Sequence, residues 1–92
     1  MISYNVHQAE RAFFNTARRQ RIDVDVERAL VHELLEEAAY LIDTSIPEPF
    51  HRRVNARDVA RVALALIAGA HRDVDHALAE LADELGYFTE SC

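Results

Sequence analysis

The sequence has no lysine, no tryptophan, a single cysteine, two glycines and two prolines among its 92 residues. So few glycines and prolines leave little material for tight turns and few helix breakers, which excludes a collagen-like or low-complexity chain and favours a helical, loop-poor one. The lone thiol, Cys92, has no partner within the chain, so packing rather than a disulfide must hold the fold, and a reducing cytoplasm is the expected setting. The longest apolar stretch, Val62 to Ala70, falls far short of the roughly 20 residues that cross a bilayer. The opening MISYNVHQAERAFF has no apolar run ahead of a small-residue cleavage site, so neither a secretory leader nor membrane contact is expected. All ten bases are arginine; a GC-rich genome is the simplest explanation, ahead of a selected need for guanidinium geometry.

Half of the residues are apolar and fifteen are alanine, which loses no side-chain entropy on entering a helix. A chain this short supports one core, so residues 1–92 are expected to form a single helical domain. Its charge alternates in four blocks. Residues 1–22 sum to +3, 23–48 to −7, 49–72 to +4 and 73–92 to −6, for a net −6. Blocks of this kind on helices that fold back on one another set unlike charges side by side and leave surplus acid outside. On that reasoning Arg18, Arg19 and Arg21, with Arg52, Arg53, Arg57 and Arg61, are expected to answer the acids of the second and fourth helices.

The fold class predicted is all-α, a bundle of about four helices over 6–19, 26–43, 56–70 and 74–85. Asn5 and Gln8 form a capping pair ahead of Val6, Ala9, Phe13 and Ala17, which recur at helical spacing. The second helix carries Leu30, Val31, Leu34, Leu35, Ala38, Leu41 and Ile42, and must stop before Ile46-Pro47-Glu48-Pro49, where an extended turn with Phe50 tucked inward is expected. Asn55 and Asp58 cap the third helix, which beyond Arg61 reads VALALIAGA and has no polar face. Such a helix must be surrounded, as the centre of the bundle or by a second copy of the chain. Val62, Leu66 and Ile67 are therefore core or dimer residues, a homodimer or larger assembly is expected, and Leu66 and Ile67 are expected near full burial. Asp73 or Asp75 caps the fourth helix, whose stripe of Val74, Leu78, Leu81, Ala82 and Leu85 ends at Gly86, a left-handed stop.

At about 100° per residue, Asp73, His76, Glu80, Asp83 and Glu84 share one face of that helix, away from its leucines. Ordinary solvation accounts for such an acidic ridge; so does a docking surface for a basic partner. His32 with Glu36, His71 with Asp75 and His76 with Glu80 have i, i+4 spacing, but two ligands make no metal site and neither a four-ligand zinc set nor paired Glu-x-x-His motifs occur, so no metal and no cofactor are expected. His71-Arg72-Asp73 copies three letters of the protein kinase catalytic loop without the glycine-rich loop or partner lysine that the chemistry requires. No nucleophile stands beside an obvious base, and no enzymatic activity is expected. Leu78 to Gly86, LAELADELG, resembles the first helix of a helix-turn-helix over nine residues. Only Tyr87 to Cys92 follow where a recognition helix belongs, and the acids would face phosphate, so direct nucleic-acid binding is not expected.

The reading that follows is a small non-catalytic protein-binding module that occludes a basic surface of a partner. By type it is similar to phage or mobile-element inhibitors and decoys, such as anti-CRISPR, antitoxin or immunity proteins. The alternative is a homodimeric accessory subunit or transcriptional regulator that assembles through the third helix.

Overall fold

The computed structural model describes residues 2–22, 27–68 and 71–86, and every regular element among them is helical. In order these are α1 (Val6–Arg19), α2 (Arg28–Ser45), a 3₁₀ helix (Glu48–Arg53), α3 (Ala56–Ala68) and α4 (His71–Leu85). The expected connector at Asp23 to Val26, Gly69, and the end from Tyr87 to Cys92 lie outside the described residues.

Helix α1 begins where Asn5, in extended conformation, accepts the Gln8 backbone N–H on its side-chain oxygen at 3.0 Å. That bond satisfies one of the N–H groups a helix start leaves without a partner. Ala9, Phe13 and Ala17 follow at four-residue intervals and are fully enclosed. The helix ends in a left-handed residue, Arg21 at φ 57°. The Ile22 N–H reaches back to the Ala17 carbonyl at 2.8 Å and the Arg21 N–H to that of Arg18 at 3.1 Å, the paired bonds of a Schellman stop. Ile22 then packs on the core.

Helix α2 starts two residues later and ends two residues later than the periodicity predicts. Its buried line is Val31, Leu35, Ala38, Ala39 and Ile42. Leu34 and Leu41, expected in that line, are only part-buried, and Leu30 is 44% exposed. At about 100° per residue Leu30 stands a full step outside the Val31–Leu35–Ile42 row, which is the reason for its exposure. After Ile46 and Pro47, both extended, the chain does not stay extended as the two prolines suggested. Pro49 falls in the first turn of the 3₁₀ helix, where a missing N–H costs nothing. Phe50 packs on the core as expected.

Helix α3 opens on a reciprocal cap: the Asp58 N–H donates to the Asn55 side-chain oxygen at 3.1 Å, and the Asn55 N–H donates to the Asp58 carboxylate at 3.0 Å. It packs against α1, α2 and α4, which explains why its sequence lacks a polar face. Val59, Ala60, Val62 and Ala63 have no exposed surface and Leu64 almost none. Leu66 and Ile67 depart from expectation: they are part-buried in the single chain, because the neighbouring helices enclose the N-terminal half of α3 more fully than its end.

Helix α4 starts at His71, three residues ahead of the expected start, so Asp73 and Asp75 lie within it rather than capping it. Asp73 still sits in the first turn, where a carboxylate meets the positive end of the helix dipole. Ala77, Leu81, Ala82 and Leu85 are buried. Gly86, at φ +85°, closes the helix in the left-handed region, and Arg53 donates to the Leu85 carbonyl at 3.0 Å to cover its last turn.

Candidate functional site

The packing of α4 on α3 determines which of its acids meet another residue. Asp73, His76, Glu80, Asp83 and Glu84 are all solvent-exposed, so the structure does bring the five predicted positions onto one open face. They are not equivalent. Glu84 lies at the edge nearest α3, where both its oxygens take Arg61 N–H groups at 2.9 Å. That forked geometry is the strong form of a carboxylate–guanidinium contact. The Arg61 hydrogen bond holds the Glu84 carboxyl below its ordinary range, with burial opposing and the Arg61 charge adding. Arg61 in turn is raised by the Glu84 hydrogen bond, lowered in part by burial, and raised again by the charges of Glu84, Asp58 and Glu80.

The centre of the face has weaker internal company. His76 stands 3.4 Å from Glu80 across one helical turn, with both side chains more than half exposed. Asp73 and Asp83 have no ion pair among the described residues, and Asp75 is exposed on the flank. With Glu84 held by Arg61, which Asp58 shares, the acids of the ridge without an arginine partner among the described residues are Asp73, Glu80 and Asp83.

The two arginine clusters do not behave as the charge blocks predict. Of the seven, only Arg61 pairs with an acid of α2 or α4 among the described residues, while Arg53 serves as a cap. Arg18, Arg19, Arg52 and Arg57 are exposed, and Arg19 reaches only the Thr16 hydroxyl, at 3.4 Å. Block sums cannot reveal this, because a helix disperses consecutive charges around its circumference. The contact between α1 and α2 instead reverses the expected polarity. Glu10, the sole acid of the first block, is 14% exposed and takes Arg28 at 3.3 Å and His32 at 2.5 Å. His32 therefore turns to α1 and not to Glu36. His51, which sequence reasoning missed, is held between the Ile46 carbonyl at 2.6 Å and Asp43 at 3.4 Å, fastening the 3₁₀ helix to the end of α2. Its signal was present in retrospect: a histidine close behind a proline turn has unpaired helix-end carbonyls within reach.

On the outer side of α2, Glu33, Glu36 and Glu37 are exposed. Burial raises the Tyr4 hydroxyl above its ordinary pKa and the charge of Glu36 adds to the rise. Among the described residues no group of three or more His, Cys, Asp or Glu side chains is placed to hold a metal ion, and no helix is long and apolar enough to cross a membrane. Comparisons of the chain with known protein families, with curated proteins and with solved structures find no match.

Proposed function

We propose that the protein is a non-catalytic binding module whose acidic face on α4 docks on the basic surface of a protein partner, as an inhibitor or decoy does. The observation that carries this reading is the exposed arrangement of Asp73, Glu80 and Asp83 on one helix face, with no arginine partner among the described residues and only His76 beside Glu80, next to a Glu84 that the fold has already paired. Seven residues of helix separate Asp73 from Glu80, roughly 10 Å along the axis, so the charges are spread as a row that can meet several cations at once. Such a row steers a cationic partner over distances of a Debye length and loses that advantage in salt. Phage or mobile-element inhibitors of host machinery, including anti-CRISPR, antitoxin and immunity proteins, are the kind of protein this reading resembles.

A homodimeric accessory subunit or transcriptional regulator that assembles through α3 is the second reading, supported by the surface that Leu66 and Ile67 keep at the end of α3. Site-specific photo-crosslinking in the native host separates the two. A probe at exposed Ala79, beside the ridge, is expected to give a discrete heterologous adduct that disappears when Asp73→Asn, Glu80→Gln and Asp83→Asn are combined. A probe at Glu37 on α2 is expected to give none. A self-adduct from Ile67 with nothing at Ala79 would favour the dimer and overturn the docking role of α4.

A further inference from the structure

Between α1 and the start of α3 runs an open groove of about 830 Å³. Four arginines line it: Arg11, Arg18 and Arg19 from α1 and Arg57 from α3. All four are exposed, and no acid lines the groove among the described residues. The two carboxylates nearest in sequence are engaged elsewhere. Glu10 is held by Arg28 and His32. Asp58 is buried against the Asn55 N–H and Arg61. A chain of net charge −6 thus carries a groove whose charged lining residues, among the described ones, are all arginine.

We infer that this groove is a binding site for the phosphate backbone of duplex nucleic acid, contrary to the expectation drawn from net charge. Three observations choose that ligand. First, the remaining polar wall is neutral and able to donate: the amides of Gln8, Asn15 and Asn55 and the hydroxyl of Thr16 line the groove with the guanidiniums. Arginine with amide side chains is the set that contacts phosphate oxygens without reading bases. Second, the only apolar residues lining the groove among the described residues are Ala12 and Ala56, which supply no aromatic or aliphatic anchor of the kind a protein interface centres on. Third, no aromatic ring lines it among the described residues, so they offer no platform on which unpaired bases would stack, which separates a duplex from a single strand. Gln8 and Arg19 are eleven residues apart on α1, roughly 16 Å of helix, long enough to follow several phosphates along one strand. The groove is independent of the acidic ridge, and a module bearing both suits a nucleoprotein target, with α4 on the protein and α1 on the nucleic acid.

The test is fluorescence anisotropy of the full-length protein with a labelled 20-base-pair DNA duplex of arbitrary sequence, from about 50 to 200 mM salt. Saturable binding at about 10 to 100 micromolar is expected in low salt, with log K falling against log salt at a slope of about −3.6 if four phosphates are neutralised. Combining Arg11→Gln, Arg18→Gln and Arg57→Gln is expected to weaken binding at least about tenfold and bring the slope near −1, with the helical circular dichroism unchanged. Arg52→Gln, outside the groove, is expected to leave both intact, and Asp73→Asn with Glu80→Gln and Asp83→Asn is expected not to weaken binding. The ridge and the groove can therefore fail separately. Absence of saturable binding by wild type in low salt, or equal binding by the triple arginine variant, would overturn the inference. So would tighter binding of the single strand, or competition by poly-glutamate as effective as that by DNA, which would make the site one for an acidic protein.

Discussion

Asp58 is the one charged side chain buried among the described residues, and replacing it with alanine asks how much the junction of α3 and α4 depends on it. One carboxylate oxygen accepts the Asn55 N–H and the other accepts Arg61, each at 3.0 Å, with 7% of the side chain exposed. Losing the capping bond costs about 1 kcal/mol. Losing a charge-assisted bond to Arg61 costs about 1.5 to 3 kcal/mol, reduced because Glu84 still holds the guanidinium and because a desolvated carboxylate disappears. The net expectation is about 2 kcal/mol, which for a chain of this size lowers the thermal midpoint by roughly 8 to 16 °C. Arg61→Ala should cost at least as much, about 3 kcal/mol, because it strands the Asp58 carboxylate away from water. Glu84→Ala, at a side chain that is 55% exposed, should cost under about 1 kcal/mol. Urea melts followed by circular dichroism give all three values. An Asp58→Ala loss no larger than that of Glu84→Ala would refute the view that burial sets the worth of these bonds.

Leu35→Ala and Leu81→Ala, both at fully enclosed positions, should each destabilise by about 2 to 5 kcal/mol, and part-buried Leu34 by clearly less, in the same melts. Arg21→Gly should stabilise by about 1 kcal/mol, since a non-glycine residue at φ 57° bears a left-handed penalty that glycine does not; a lower midpoint would show that the Arg21 side chain does more than occupy the turn. Because the folded Glu84 carboxyl is depressed, the Arg61 pair contributes stability that is present above the unfolded carboxyl range near pH 4.3 and is lost as pH falls through the lower folded value. The stability gap between wild type and Glu84→Gln, under about 1 kcal/mol at neutral pH, should therefore close as the pH falls through and below the ordinary carboxyl range, as acid titration of the urea midpoint would show.

What the sequence made legible was whatever depends on local periodicity and capping. The Asn5 cap, the reciprocal Asn55–Asp58 cap, the Gly86 stop and the central position of α3 are each written in residues a few places apart. The five ridge positions on α4 were legible for the same reason. What stayed hidden depends on how helices rotate against each other. Whether Leu34 or Leu35 faces inward is a difference of about 100° that periodicity blurs. Whether Glu84 or Asp83 meets Arg61 depends on the placement of α4 on α3. The basic groove was hidden most completely, since Arg57 joins Arg11, Arg18 and Arg19 only when α3 is laid against α1.

On the proposed function, the open acids of α4, and not the paired Glu84, recruit a basic protein. Stopped-flow association of the partner captured at Ala79, with wild type and with the combined Asp73→Asn, Glu80→Gln and Asp83→Asn variant, addresses it over a range of salt. The expected result is an on-rate at least about tenfold lower for the variant in low salt, a flattened salt dependence, little change in off-rate and an unchanged thermal midpoint. An on-rate in low salt equal to that of wild type would contradict it and place the interface on another face.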